Sequence, residues 1–106
     1  MQYVMRYHLK PDMSAAFKQW LLENQTLMEE NQPDGWTYLG TWFTVRGFGQ
    51  YPCETRWELD DYAALGAGWG NEISQRLSRE WMEFVDTGRQ SETYLMKSAA
   101  DVYVFE

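Results

Sequence analysis

Two short segments of this chain place ionisable side chains at every second position. In YVMRYHLKP, residues 3–11, Arg6 and His8 alternate with Met5, Tyr7 and Leu9. In CETRWEL, residues 53–59, Glu54, Arg56 and Glu58 alternate with Cys53, Thr55, Trp57 and Leu59. A period of two is that of a strand, so each set lies on one face. A guanidinium presents a planar fork of donors that suits a carboxylate, and Arg6, Arg56 and Arg46 are the candidates for such a clamp. Tyr38 and Trp42 offer flat rings for stacking on a planar ligand. An imidazole suits proton transfer near neutral pH, so His8, the single histidine, is the candidate acid or base, with Glu54 or Glu58 to orient it. The plainer explanation is that pairs such as Arg6–Glu58 and Arg56–Glu54 neutralise one another across a sheet, with His8 at a strand end.

Other chemistries find little support. Cys53 is the single cysteine, which precludes an intrachain disulfide. It stands at the start of a strand without an evident base and reads as a small buried hydrophobe. One histidine with no paired thiolates does not make a metal site. Met13, Met28, Met82 and Met96 read as core filler. The loop GAGWGNE contains Gly66, Gly68 and Gly70, but Asn71 stands where a dinucleotide fingerprint requires its last glycine. It reads as a flexible connection, with Trp69 on a possible lid.

Composition sets the outer bounds. At 106 residues the chain is expected to be one domain spanning 1–106. It is 44% hydrophobic and 17% aromatic, with six Trp and seven Tyr, more than a small interior hides. A net charge of −7 without a basic cluster disfavours nucleic acid and anionic membranes as partners. The chain shows neither a leader segment nor an apolar run of about 20 residues, so a soluble cytoplasmic protein is expected.

The elements follow from pattern. Residues 2–10 read as a strand with Tyr3, Met5, Tyr7 and Leu9 on its apolar side. A long helix follows, capped by Asp12 or Ser14, with Met13, Phe17, Trp20, Leu21, Leu27 and Met28 on one side; Pro33-Asp34-Gly35 stops it. WTYLGTWFTVR reads as a second strand, with Leu39, Thr41, Phe43 and Val45 on one side and Tyr38, Gly40, Trp42, Thr44 and Arg46 on the other. GFGQYP is a loop or bulged hairpin before the third strand. Asp60 or Asp61 caps a short turn over DYAAL. A second helix covers 71–86 with Ile73, Leu77, Trp81, Phe84 and Val85 on its stripe. SETYLMKS reads as a last core strand, and DVYVFE as an edge strand or a tail that grips a partner.

The order βαββαβ predicts an α+β, ferredoxin-like fold: an antiparallel sheet with both helices on one face and the first and third strands as central neighbours. The apolar faces then meet the helices. Arg6 and His8 share the other face with Glu54, Arg56 and Glu58, flanked by Tyr38, Trp42 and Arg46. That face is too aromatic for ordinary wetted surface and too charged for a core. Two such faces packed together in a homodimer resolve the conflict and leave a mixed polar and aromatic chamber.

The segments YVMRYHLKP before a helix, LGTWFTVRGFGQ before TRWELDDYAAL, and REWMEF in the second helix together resemble the NIPSNAP family over residues 3–84. The resemblance implies a dimeric α+β barrel. The family motif has glycine after the proline of the first segment, where this chain has Asp12. It transfers no catalytic residues. Haem-degrading enzymes of the wider superfamily ligate haem through a helical histidine, whereas His8 lies on a strand, so neither haem nor another cofactor is expected. The function expected is a small-molecule-binding or interaction protein whose ligand, aromatic or anionic, occupies the chamber. The alternative is a cofactor-independent monooxygenase or isomerase acting on a small aromatic or polyketide-like compound.

Overall fold

Alternation at the start of the chain becomes strand β1, Gln2–Tyr7, the inner rail of a four-stranded antiparallel sheet. A computed structural model describes residues 1–47, 51–68 and 70–102. After β1 come helix α1 (Ser14–Glu30), strands β2 (Trp36–Phe43) and β3 (Cys53–Leu59), and a 3-10 turn over Tyr62–Gly66. Helix α2 (Glu72–Phe84), strand β4 (Glu92–Met96) and a 3-10 turn over Ala99–Asp101 complete the order. The strands lie β2-β3-β1-β4, so β1 and β3 are central, as the ferredoxin-like expectation requires.

Register fixes the faces. β1 pairs with β3 through Tyr3↔Trp57, Met5↔Thr55 and Tyr7↔Cys53, and these residues meet the helices. The core unites Tyr7, Tyr38 and Cys53 from the sheet with Phe17, Trp20 and Met28 from α1 and Leu77 from α2. Phe17 sits at its centre, edge-on to Tyr7 and Phe43 and stacked on Trp20. This layer also contains a line of hydroxyls: Tyr38 to Thr41 at 2.7 Å, Thr41 to Thr55 at 2.9 Å, and Thr55 to Tyr7 at 2.7 Å. The two inner hydroxyls, Thr41 and Thr55, each make two of these bonds and the two tyrosines one each, so four polar side chains enter an apolar layer with partners supplied.

Several expectations need correction. A bulge between Tyr38 and Gly40 inserts an extra residue into β2. It turns Tyr38 inward to pair with Trp57 and lie buried against the helices, whereas strict alternation puts it outside. Thr41 and Phe43 keep their predicted inward side, but Leu39 is exposed at the bulge and Val45 lies fully exposed past the strand end. Gly40 has φ 142°, and the Trp42 ring covers it so closely that an added Cβ would stand 3.2 Å from the indole. β4 is an edge strand, with most of its residues exposed. Residues 103–106, 48–50 and Trp69, the subjects of the tail, loop and lid readings, lie outside the described residues.

The helix starts also differ from expectation. Met13 occupies the N-cap of α1 without a side-chain cap bond, and neither Asp12 nor Ser14 caps it. Asp12 adopts φ 63°, the left-handed conformation that glycine takes at least cost. The position where the family resemblance implies glycine is thus one where the backbone has a use for it. Asp61 caps the 3-10 turn, as expected. Asn71 caps α2 by accepting from Ser74 N–H at 2.9 Å, and Gly70 turns the chain into it with φ 79°. The glycine-rich loop therefore serves a helix start. Ile73 is exposed, and Ser74 occupies the buried position beside Leu77.

Two stability measurements check this description. Thr55→Val removes the middle of the hydroxyl line and is expected to cost about 1–3 kcal/mol in urea unfolding, with part of the loss recovered by adding Tyr7→Phe. Asp12→Gly is expected to raise the urea midpoint by an amount corresponding to about 0.5–1 kcal/mol, whereas Asp12→Val lowers it.

Candidate ligand-binding site

The face of the sheet turned away from the helices is organised by one carboxylate. Arg6 donates through Nε to Glu54 Oε1 at 2.9 Å, and Arg56 donates through Nε to Glu54 Oε2 at 2.8 Å. Strand pairing brings them together: Arg6 and Glu54 are opposite one another on β1 and β3, and Arg56 is two residues along the same face. Arg56 also donates through Nη1 to Gln2 Oε1 at 3.2 Å. Among the described residues, Arg6 makes no side-chain hydrogen bond through its Nη atoms, so one edge of its fork is uncommitted. Beneath the network Val4, flanked in register by Arg56 and Tyr94, is 0% exposed. The long side chains therefore cover an apolar floor rather than extending into water.

β4 supplies the rest. Glu92 lies opposite Arg6 and Tyr94 opposite Val4. The Arg6 guanidinium sits 5.3 Å from the Tyr94 ring centre, and the Tyr94 hydroxyl donates to Glu92. On the other flank Trp42, paired with Glu54, is half exposed. A cleft of ≈ 650 Å³ opens at the end of the face away from His8, lined in part by Gln2, Glu58, Asp61, Tyr62 and Met96.

Electrostatics follow from these contacts. Burial by itself raises the Glu54 carboxyl, but hydrogen bonds from Arg56 and Arg6 outweigh it and hold Glu54 below its usual range. The hydrogen bond to Glu54 in turn raises the Arg6 guanidinium. Burial pushes the Cys53 thiol up to about 11, which leaves it protonated at neutral pH and agrees with its reading as a core residue.

Of the residues predicted for this face, Arg6, Glu54, Arg56 and Trp42 come together. Tyr38 does not, because the bulge turns it into the helix layer. Arg46 lies exposed beyond the end of β2. Glu58 stands at the far end, where it accepts from the Met1 amino group at 3.0 Å. The Arg6–Glu58 pair is thus replaced by Arg6–Glu54, while Arg56–Glu54 forms. His8 is half-buried just past β1, where its carbonyl accepts from Asp86 N–H at 2.9 Å. Its ring lies 5.1 Å from that of Tyr51. No carboxylate is hydrogen-bonded to it among the described residues; Glu54 and Glu58 are both committed elsewhere.

Sequence reading missed Gln2, Tyr51, Glu92 and Tyr94. Glu92 and Tyr94 carry the same every-second-residue signal as Arg6 and His8, and extending the face assignment to the last strand finds them. Tyr51 lies outside regular structure and has no such signal. Among the described residues no cluster of three or more His, Cys, Asp or Glu is arranged to hold a metal ion, and no helix is long and apolar enough to cross a membrane.

No family model matches the chain, and no curated protein matches it. Among solved structures, an uncharacterized NIPSNAP domain protein from Burkholderia xenovorans is similar to it with a TM-score of 0.64. The likeness covers 98% of this chain and 100% of that one at 16% identity. At that identity it is a likeness of fold: the α+β sheet and its two covering helices are NIPSNAP-like.

The shared carboxylate gives a pH-dependent contribution of definite sign. A depressed folded-state pKa stabilises the protein above the unfolded value of about 4.3. That contribution is lost as pH falls through the lower folded value. The stability advantage of the native protein over Glu54→Gln is therefore expected to be full at pH 7 and to shrink below about pH 4.3. Urea unfolding of both proteins between pH 7 and pH 3 checks it.

Proposed function

We propose that this protein is a NIPSNAP-like small-molecule-binding protein that works as a homodimer, with the helix-free faces of two sheets enclosing the ligand. One observation carries the reading: two guanidiniums are fixed against the sheet by a single shared carboxylate, with an uncommitted Arg6 edge and the Tyr94 and Trp42 rings beside them. Fixed donors next to flat apolar surface suit a small planar ligand carrying one polar edge. Trp42, Tyr94 and Met96 are 50%, 39% and 47% exposed, and a second copy would cover them. The acidic balance of the chain supports a small molecule over nucleic acid as the partner.

Sedimentation at micromolar concentration is expected to give a dimer. Titration with phenol is expected to shift the backbone resonances of Gln2, Arg6, Arg56 and Tyr94 while leaving those of Phe17 and Leu77 in place. Trp42→Ala should weaken phenol binding about 3- to 10-fold through lost ring contact. A stable monomer whose open face ignores phenol refutes the reading.

A second reading, a cofactor-independent monooxygenase or isomerase acting on an aromatic or polyketide-like compound, is favoured by the placement of His8. Its ring abuts Tyr51, and among the described residues no carboxylate is bonded to it, so the imidazole is available to a reacting molecule. Oxygen uptake or turnover that disappears in His8→Ala with the dimer intact supports this reading over simple binding.

A further inference from the structure

The hydroxyl line in the core holds one hydrogen more than it has bonds. Tyr7, Thr55, Thr41 and Tyr38 carry four hydroxyl hydrogens and share three hydrogen bonds. Tyr7 and Thr55 are 0% and 1% exposed, so a spare hydrogen on either would stand unmade in the core. The Trp81 indole N–H, which can only donate, also bonds to the Tyr7 oxygen. Tyr7 therefore donates to Thr55 and Thr55 to Thr41. A line that runs one way strengthens each of its bonds, so Thr41 donates to Tyr38 and the spare hydrogen falls on Tyr38.

That end of the line opens into a groove of ≈ 310 Å³ between α1 and the edge strand β2, lined in part by Tyr38, Thr41, Leu21, Leu22 and Leu39. Tyr38 is 8% exposed, and among the described residues its hydroxyl bonds to Thr41 alone. Burial, opposed by the Thr41 hydrogen bond and aided by the Glu29 carboxylate, raises its phenol above the usual value, so it keeps its proton as a donor. The groove thus presents a fixed donor that lacks an acceptor, beside leucine walls. Lys18 and Glu29 balance one another in charge along it, and Gln25 donates to Glu29 at 3.2 Å. Glu29 is the carboxylate whose field reaches Tyr38, so an anionic acceptor placed there would be repelled. A neutral oxygen on an aliphatic body suits both the donor and the walls. We propose that the groove between α1 and β2 binds a neutral aliphatic carbonyl compound, a ketone or ester whose oxygen accepts from Tyr38. Of its lining residues the groove shares Trp42 alone with the open face, so this is a second site beyond the one proposed above.

2-Octanone and octanoate are the probes, and the leucine methyl resonances of the full chain report binding. 2-Octanone is expected to shift Leu21, Leu22 and Leu39 and to bind more tightly than octanoate. Tyr38→Phe removes the donor and is expected to weaken 2-octanone about 3- to 10-fold. Leu22→Gln, on the exposed side of α1, removes part of a wall and is expected to weaken it as well. Octanoate bound more tightly, 2-octanone bound equally by Tyr38→Phe, or groove methyls that do not move at millimolar concentration overturns the inference. If Tyr38→Phe does not fold, 2-octanone binding unchanged in Leu22→Gln overturns it instead. The open face is read separately through Arg6 and Arg56, so failure in the groove leaves the reading of that face intact.

Discussion

The antiparallel register of β1 against β3 is the constraint on which the molecule depends. Tyr7 opposite Cys53 and Met5 opposite Thr55 give the helices an apolar surface, while Arg6 opposite Glu54 and Val4 opposite Arg56 give the other face its charge network. Because side chains alternate with a period of two, a slip of β1 by one residue would drive Arg6 into the layer filled by Phe17 and Trp20 and part it from Glu54 on β3. Buried charges without full pairing cost several kcal/mol each, far more than the lost strand contacts alone. The same register brings the Tyr7 hydroxyl to Thr55. Core and site are therefore two sides of one pairing decision.

The two faces solve the problem of polar atoms differently. On the helix side, Tyr38, Thr41, Thr55 and Tyr7 satisfy one another in a line of neutral hydroxyls. On the open side a carboxylate is shared between two guanidiniums, which leaves donor capacity unused. The β2 bulge decides which aromatic belongs to which side: Tyr38 goes inward to the hydroxyl line, and Trp42 stays outward over Gly40. Without the extra residue both would share a parity and the core would lose a ring. A bulge on an edge strand also discourages pairing with foreign strands.

Likeness to a NIPSNAP domain in fold says little about what the open face holds, because function resides in the side chains placed on a fold. The charge balance here belongs to this chain's own residues. Arg6, Glu54, Arg56 and Glu92 come from three strands, and Tyr51 comes from the segment leading into β3. Asp12, with its left-handed backbone after Pro11, illustrates the reverse case, where geometry persists although the residue that suits it best is absent.

Period-two alternation in residues 3–9 and 53–59 determined, by itself, which of those side chains face the helices, since a strand offers no other choice once one face is apolar. The order of elements determined the ferredoxin-like arrangement of strands, and the signals at Asp61 and Pro33–Gly35 placed a turn and a helix end where they occur. Local pattern had no means of registering the extra residue in β2, so Tyr38 fell on the wrong side, because a bulge is decided by pairing with β3. Nor did it have means of knowing that Glu54 takes both arginines and Glu58 the Met1 amino group, since several opposite charges on one face pair by strand register and reach. The approach of Tyr51 to Glu92 is likewise a product of tertiary structure: the two residues are far apart in the chain, and only the folded sheet brings them together.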